Sequence, residues 1–532
     1  MGTKTAPAPP PRPLPLCAKI VVAFLFFGLI FSIVGSIVIP MVFTTIISNI
    51  VEEIMVITPN SELYEGWKDP SSNMPVYQGY YFFDVQNKEG ILQGEKPQVL
   101  EVGPYTYMMN VTRQNITFRD NDTVSYLQYM TYSFVPEMSV GSEEDMITTL
   151  NIPFMSAANG AKYKTFWEQI SVAALGHIHN YQAFNEISVK DLLWGYKDPM
   201  LLHMQGLAGK DLVTTDTFGI LHGQNGTNPN WFTVHTGVDN SSLLSTISEW
   251  NGTKTLSWWG DKQANMVNGT DGSMFHTGIQ KEDLLQLFSP LNFRSMPYEY
   301  QYDTSYEGIP LYHFYVPRFA YANPSEYPPN AGFCLEDAEK CVPTGLFNIS
   351  ICSQGAPMLL SHPHFLYGDE SLIDAIDGIE PNETIHQNSI DIEPVMGVPF
   401  IVNQRIQINM YIEEIGGIGQ TYGLKPTYFP ILWIDTNGVL PDSMVDKYKE
   451  GMKLSQSIGN GARYGCIALG ITCLLIAIVV IIYYRDRKHK IRDKQNQTIK
   501  AIENEYIALP MMDKEGSEIN QNGSTKIDPV PV

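Results

Sequence analysis

Two uninterrupted apolar stretches stand at opposite ends of the chain. One runs from Ile20 to Val38 and on past Pro40 to Ile47, the other from Tyr464 to Tyr484, and neither holds a charged side chain. At about 1.5 Å of rise per residue, ~20 apolar residues cross a ~30 Å hydrocarbon layer, so each stretch predicts a membrane-spanning helix. The first is longer than the roughly 7–15 residues of a signal-peptide core and has no clear small-x-small cleavage pattern before Asn49, so it reads as an uncleaved signal anchor. Lys4, Arg12 and Lys19 precede it, and Glu52 and Glu53 follow it. Only Arg463 stands just before the second stretch, whereas Arg485, Arg487, Lys488, Lys490, Arg492 and Lys494 crowd its end. The positive-inside rule then places both ends in the cytosol. The expected organisation is a cytosolic tail (1–19), a first span (20–47), an extracytoplasmic domain (48–463), a second span (464–484) and a cytosolic tail (485–532).

Between the spans, apolar positions alternate with polar ones. Val99, Tyr105, Tyr107, Ile116, Phe118, Val124 and Tyr126 punctuate polar neighbours as half-buried strands do. The clearest run is Arg405 to Ile412, where Ile406, Ile408, Met410 and Ile412 face away from Arg405, Gln407, Asn409 and Tyr411, predicting a sheet packed on one side. Helical spacing interrupts this pattern. Ser142 and Asp145 are spaced as a capping box, with Glu143, Glu144 and Asp145 as an acidic first turn. From Gly160 to Tyr181, one helical face collects Tyr163, Phe166, Trp167, Ile170, Ala174, His177 and Tyr181, a stripe that by itself core packing explains more readily than ligand binding. No repeat or low-complexity linker divides the segment, so it predicts one large α+β unit. Residues 1–16 are Pro-rich and the tail from Arg485 is polar, and both predict unstructured chain.

Charge narrows the partners. The chain has 34 Lys+Arg against 56 Asp+Glu; the two cytosolic ends hold 12 bases and 8 acids, leaving a formal −26 between them. Such a surface repels nucleic acid and suits cationic or apolar ligands. Glycosylation sequons in this segment fall at Asn110, Asn115, Asn121, Asn225, Asn240, Asn251, Asn268, Asn348 and Asn382, a density that predicts a heavily glycosylated surface. Only Cys334, Cys341 and Cys352 lie outside the cytosol and spans, and an odd number leaves at least one thiol free or paired between molecules, as in a homo-oligomer. Cys17, beside the first span, is a palmitoylation candidate. In the tail, Tyr506-Ile507-Ala508-Leu509 has the aromatic-x-x-bulky form of a sorting signal read by a clathrin adaptor, and Val530-Pro531-Val532 could add to a sheet edge.

Catalytic signatures are missing: the sequence has no HExxH, CxxC pair, Walker loop or GxSxG elbow, so a non-enzyme without cofactor is expected. Gly416-Gly417-Ile418-Gly419 reads as a flexible loop. In Ser361-His362-Pro363-His364, Pro363 predicts an extended course with the two imidazoles on opposite faces, which disfavours a metal.

Several long motifs resemble one family. Gly94-Glu95-Lys96-Pro97, then Glu101-Val102-Gly103-Pro104-Tyr105-Thr106-Tyr107, Ile147 to Pro153, Leu192-Leu193-Trp194-Gly195-Tyr196, Asn268 to Gly272 and Ser361 to Phe365 occur in the order found in the class B scavenger receptors. Asn330-Ala331-Gly332-Phe333-Cys334 with Cys341, and Ile349 to Cys352 with Gly355-Ala356-Pro357, are most similar to the lysosomal integral membrane protein type 2 branch. The resemblance implies an antiparallel β-barrel-like domain with an internal tunnel for cholesterol, acyl chains or phospholipid, and a helical apex. In that branch the apex binds a lysosomal hydrolase, β-glucocerebrosidase; in the surface branch it receives lipoproteins or particles. The matching apex is 152–181, making Lys162, Tyr163, Phe166, Trp167, Ile170, His177 and His179 the expected ligand-binding residues. Imidazoles titrate near pH ~6.5, so His177 and His179 are expected to tune that binding between secretory and lysosomal lumens. The family pairs the cysteine matching Cys352 with one near Phe293, where this chain has none. Cys334–Cys341 is then the expected disulfide and Cys352 the unpaired thiol. The branch's dileucine tail signal is also absent, so lysosomal or endosomal delivery would rest on Tyr506 and Leu509, with the plasma membrane as the alternative.

Overall fold

The structure is a computed structural model that describes residues 15–162, 165–208, 215–226, 230–291, 293–335, 341–353, 355–507, 518–519 and 525–526. It divides into two compact units, 1–47 with 452–532, and 48–451.

Helix Leu16–Ile33 runs through a π-helical stretch, Val34–Val38, into helix Ile39–Ile54, whose residues from Ser48 on belong to the second unit. Pro40 explains the widened turn. It has no N–H, and its ring would press on the carbonyl one α-turn back, so the helix loosens just before it and Ile39 N–H reaches Val34 O instead. The second apolar stretch lies within Asp442–Ile507, a single helix of 66 residues. Both helices are long and apolar enough to cross a membrane, over 18–54 and 442–504. They meet through small residues: a Cβ at Gly470 would lie 2.6 Å from Ser32 Oγ and 3.0 Å from Gly28 O. The helix continues over 485–507, where unstructured tail was expected. No Gly or Pro interrupts 471–509, and Lys, Arg, Gln and Glu sustain a helix once the apolar stretch has nucleated it.

The second unit is built on a large antiparallel sheet. Apart from the two-residue strand Phe347–Asn348, its strands and those of a small ribbon are β1 (Val76–Val85), β2 (Val99–Arg119), β3 (Thr123–Phe134), β4 (Met146–Leu150), β5 (Phe184–Ser188), β6 (Asn230–His235) and β7 (Ile247–Trp250). They continue with β8 (Leu285–Ser289), β9 (Arg294–Tyr306), β10 (Ile309–Tyr315), β11 (Met358–Ser361), β12 (Ser389–Glu393), β13 (Val398–Ile412) and β14 (Thr427–Val439). The main path runs β8-β9-β10-β12-β13-β14-β1-β2-β3-β6-β7, with β11 also pairing β13, while β4 and β5 form the ribbon. The two edges of the path are linked: Ile247 N–H on β7 donates to Gly269 O (2.8 Å), and Thr270 N–H donates to Gln286 O on β8 (3.1 Å).

The alternation at 405–412 predicted a sheet covered on one side, but β13 is covered on both. Gln407 and Asn409 are as fully buried as Met410. Their amides are tolerated because they bond one another and their neighbours: Gln407 Nε2 donates to Asn409 Oδ1 (2.7 Å), Asn409 Nδ2 to Ser361 Oγ (3.0 Å), and His364 N–H to Gln407 Oε1 (2.7 Å). The capping box at Ser142 also resolves differently. Ser142 N–H does bond Asp145 Oδ2 (3.1 Å), but the chain turns into β4 rather than a helix. The acids are engaged elsewhere, Tyr105 donating to Asp145 (3.0 Å) and Tyr107 to Glu143 (2.7 Å).

Candidate functional site

The ribbon β4–β5 pairs Leu150 with Phe184 at its end and sends out the segment 151–183 as a helical excursion. Asn151 caps the first helix of this tip, Ile152–Ala161, by accepting Phe154 N–H (3.2 Å), and Pro153 sits in its opening turn. Ile152, Phe154, Met155, Ala157 and Ala158 are buried. The second helix is Phe166–Ile178, so the stripe expected as one continuous helix from Gly160 is broken between two. A Cβ at Gly176 would stand 3.1 Å from Phe154 Cε2 and 2.5 Å from Gln420 Nε2, which makes glycine the residue that lets the second helix lie close to its supports.

That break and the close approach decide which face is buried. Val172 and Gly176 turn inward. Trp167 (74 % exposed), Ile170 (40 %), Ala174 and Ile178 (73 %), at helical spacing, turn to solvent. The apolar stripe read from the sequence is therefore largely an outward face. Ile178 was missed because it fell off the phase counted from Tyr163; counting from Trp167 in steps of three and four would have found it.

The other expected apex residues scatter. Lys162 ends the first helix and forms an ion pair with Glu413. His177 and His179 are exposed, the latter ring 5.8 Å from that of Tyr181. Tyr181 itself is anchored, donating to Asp198 Oδ1 (2.7 Å), an acceptor shared with Met200 N–H (2.7 Å). Tyr163 lies outside the described residues, as do Leu509 and the side chains of Phe166, Cys17 and Tyr506. The backbone of Tyr506 belongs to the last turn of the long helix, not to an extended segment.

A second cluster, invisible in sequence, joins residues far apart. Glu101 Oε2 accepts His364 Nε2–H (2.6 Å) and Trp433 Nε1–H (2.8 Å), and the ring of His386 stacks on His364 at 4.4 Å and 5°. Burial works against the Glu101 carboxylate, yet the bonds from His364 and Trp433 hold its pKa below the ordinary value. Burial, then His364, presses His386 down to about 4. The donor atoms of Glu101, His364 and His386 lie within 4.8 Å of one another, close enough for an ion. The tautomers argue otherwise. His364 Nδ1 accepts Glu380 N–H (2.9 Å) and His386 Nδ1 accepts Asn382 N–H (3.0 Å), so each neutral ring carries its proton on Nε2, the atom a metal would need bare. The cluster is a polar bolt through the sheet and does not fit a metal. His364 reaches it because Pro363 begins a 3₁₀ turn, not the extended run expected, with His364 at φ 52°.

Cys334 and Cys341 are disulfide-bonded, with Cα atoms 5.5 Å apart. Cys352 is a free, half-buried thiol whose pKa burial pushes up to about 12. Of the sequon asparagines, Asn115, Asn121, Asn225, Asn240, Asn251 and Asn382 are exposed, and Asn110, Asn268 and Asn348 are half-buried.

Comparison with known proteins places this architecture. Scavenger receptor class B member 1 of Bos taurus is 34% identical over 461 residues, 87% of this chain and 89% of its own length. Lysosome membrane protein 2 of Mus musculus is 35% identical over 423 residues, 79% and 86% respectively, and its Homo sapiens counterpart is 34% identical over the same length. The CD36 family model matches residues 26–481, which takes in the whole sheet and most of both apolar stretches, and the chain belongs to the CD36 family.

Proposed function

We propose that the chain is a receptor of the lysosomal or endosomal membrane, crossing it twice with both termini in the cytosol, whose helical tip binds protein or lipid-bearing ligands. The observation that carries this reading is the outward apolar face of Trp167, Ile170 and Ile178. Isolated apolar side chains on a surface need no explanation, but an aligned group with a tryptophan along one helix face suits a docking surface. A lysosomal hydrolase is the protein ligand to test first. The domain's interior is proposed to conduct cholesterol or phospholipid through a barrel-like sheet, a reading supported by the hydrogen bonds through Gly269 and Thr270 that link its two edges. The six exposed sequons are proposed to carry glycans, Cys17 to be palmitoylated, and Tyr506 with Leu509 to serve as the sorting signal.

A cell-surface receptor is the second reading, favoured by equal similarity to scavenger receptor class B member 1. One experiment addresses binding and conduction together: affinity capture on the full-length protein in nanodiscs at about pH 7 and about pH 5, with bound proteins and lipids both identified. A captured lysosomal hydrolase and co-purifying sterol or phospholipid are expected. No extractable lipid and no uptake of a fluorescent sterol would argue against the conduit; capture of lipoprotein alone would favour the surface reading.

A further inference from the structure

The helix that carries the second span does not end with its apolar stretch. It runs on from Arg485 to Ile507 as part of one unbroken element, and its side chains from Arg485 to Asn504 are all exposed. At about 3.6 residues per turn, Arg485, Lys488, Ile491, Arg492, Ile499 and Ile502 fall within roughly one third of its circumference, with Gln495 among them and Glu503 at their edge. Asp486 and Asp493 lie on the opposite side, where Lys490 Nζ pairs with Asp486 (2.8 Å). One face is therefore basic and apolar together. Ile491, Ile499 and Ile502 are 51 %, 54 % and 49 % exposed, so nothing among the described residues covers the stripe they form.

A bilayer accounts only for the start of this face. At ~1.5 Å per residue, Arg485 and Lys488 lie within ~6 Å of Tyr484 along the axis, inside the ~8 Å over which a charged surface is felt at physiological salt. Arg492 lies ~12 Å out, and Ile491, Ile499 and Ile502 lie ~10, ~22 and ~27 Å out. An ordinary tilt of ~20° shortens these distances by only ~6 %. Laying the helix on the lipid surface would need a break, and 471–509 holds no Gly or Pro to make one. Lipid thus does not reach the outer isoleucines, whereas a protein can. Bases beside an apolar stripe on a single helix complement an acidic groove, the pairing on which helix-in-groove recognition rests.

We infer that this face, from Arg485 to Ile502, is a docking site for an acidic cytosolic protein that closes an apolar groove around one helix. The site rests on the proposed orientation with both termini in the cytosol. Full-length protein in nanodiscs of phosphatidylcholine, with and without phosphatidylserine, is titrated with calcium-loaded calmodulin, an acidic probe that presents such a groove. Wild type should bind in both lipids and release the probe when calcium is removed. Ile499→Gln with Ile502→Gln, which keeps helix propensity, should weaken binding at least tenfold. Lys488→Gln with Arg492→Gln should weaken it and flatten its dependence on salt. No binding by wild type, or equal affinity of the isoleucine variant, overturns the assignment. Binding abolished by phosphatidylserine would give the face to lipid, self-association that the isoleucine variant loses would give it to a second copy, and binding seen only in a variant ending at residue 507 would give it to the chain's own tail; each overturns it. A glycan on Asn496, which opens an Asn-x-Thr sequence on this helix, would instead overturn the orientation beneath it.

Discussion

The sheet interior and the helical tip place residues against their usual preferences in opposite ways. Inside the sheet, Arg113 is 4 % exposed, but it pairs with Asp271 (2.6 Å), donates to Ser273 (2.9 Å) and the Trp67 carbonyl, and lies against the rings of Trp67 and Tyr126. At the tip, Trp167 and Ile178 stand in solvent. The charge of Arg113 is brought inside together with a carboxylate partner, and what the pair supplies is a defined architecture. Exposed at helical spacing, these apolar groups form the face that is proposed to dock a ligand. Arg294 stands between the two cases: it is as buried as Arg113, but no carboxylate pairs with it among the described residues.

The contrast can be broken most forcefully at Asp271. Burial opposes its charge, yet Arg113 and Ser273 hold its pKa below the ordinary value. Asp271→Ala would strand Arg113 and should cost about 3–5 kcal/mol in chemical denaturation, whereas Arg294→Met should cost less because it strands the Ala320 carbonyl but no charge. Comparable losses from both would erase the distinction.

A smaller effect should appear with pH. His362 is buried with neither ring nitrogen bonded among the described residues, and burial lowers its pKa to about 4. An unfolded chain takes up that proton near pH ~6.5 while the folded chain does not, so stability is full above that value and declines as pH falls toward 4. The loss for this one group should reach about 2 kcal/mol by pH ~5. His362→Phe should remove roughly half of the slope, since His386, also lowered to about 4, supplies a parallel contribution. An unchanged slope in the variant would exclude His362 as its source.

Sequence reading reached what depends on local pattern. The apolar spans, the strand at 405–412 and the Cys334–Cys341 pair, the last implied by resemblance, all lie within short windows. It missed what depends on distance: Glu101 meets His364 across 263 positions, and Arg113 meets Asp271 across 158. No spacing rule encodes such contacts. It also misjudged faces. Alternation at 405–412 marked Gln407 and Asn409 as outward because their burial depends on a hydrogen-bonded ladder, and the tip stripe looked like core because helical period does not say which side the protein is on.

The smallest expected change in stability accompanies the largest expected change in binding. Trp167→Ala combined with Ile178→Ser should leave stability within about 0.5 kcal/mol, as exposed positions do. The deciding measurement is the affinity of this double variant and of wild type, both full-length in nanodiscs, for β-glucocerebrosidase and for a lipoprotein particle. Wild type should bind at least one of them, and the variant should lose that binding at least tenfold. Equal affinity of the two proteins, or no binding by wild type, would contradict a ligand-docking tip.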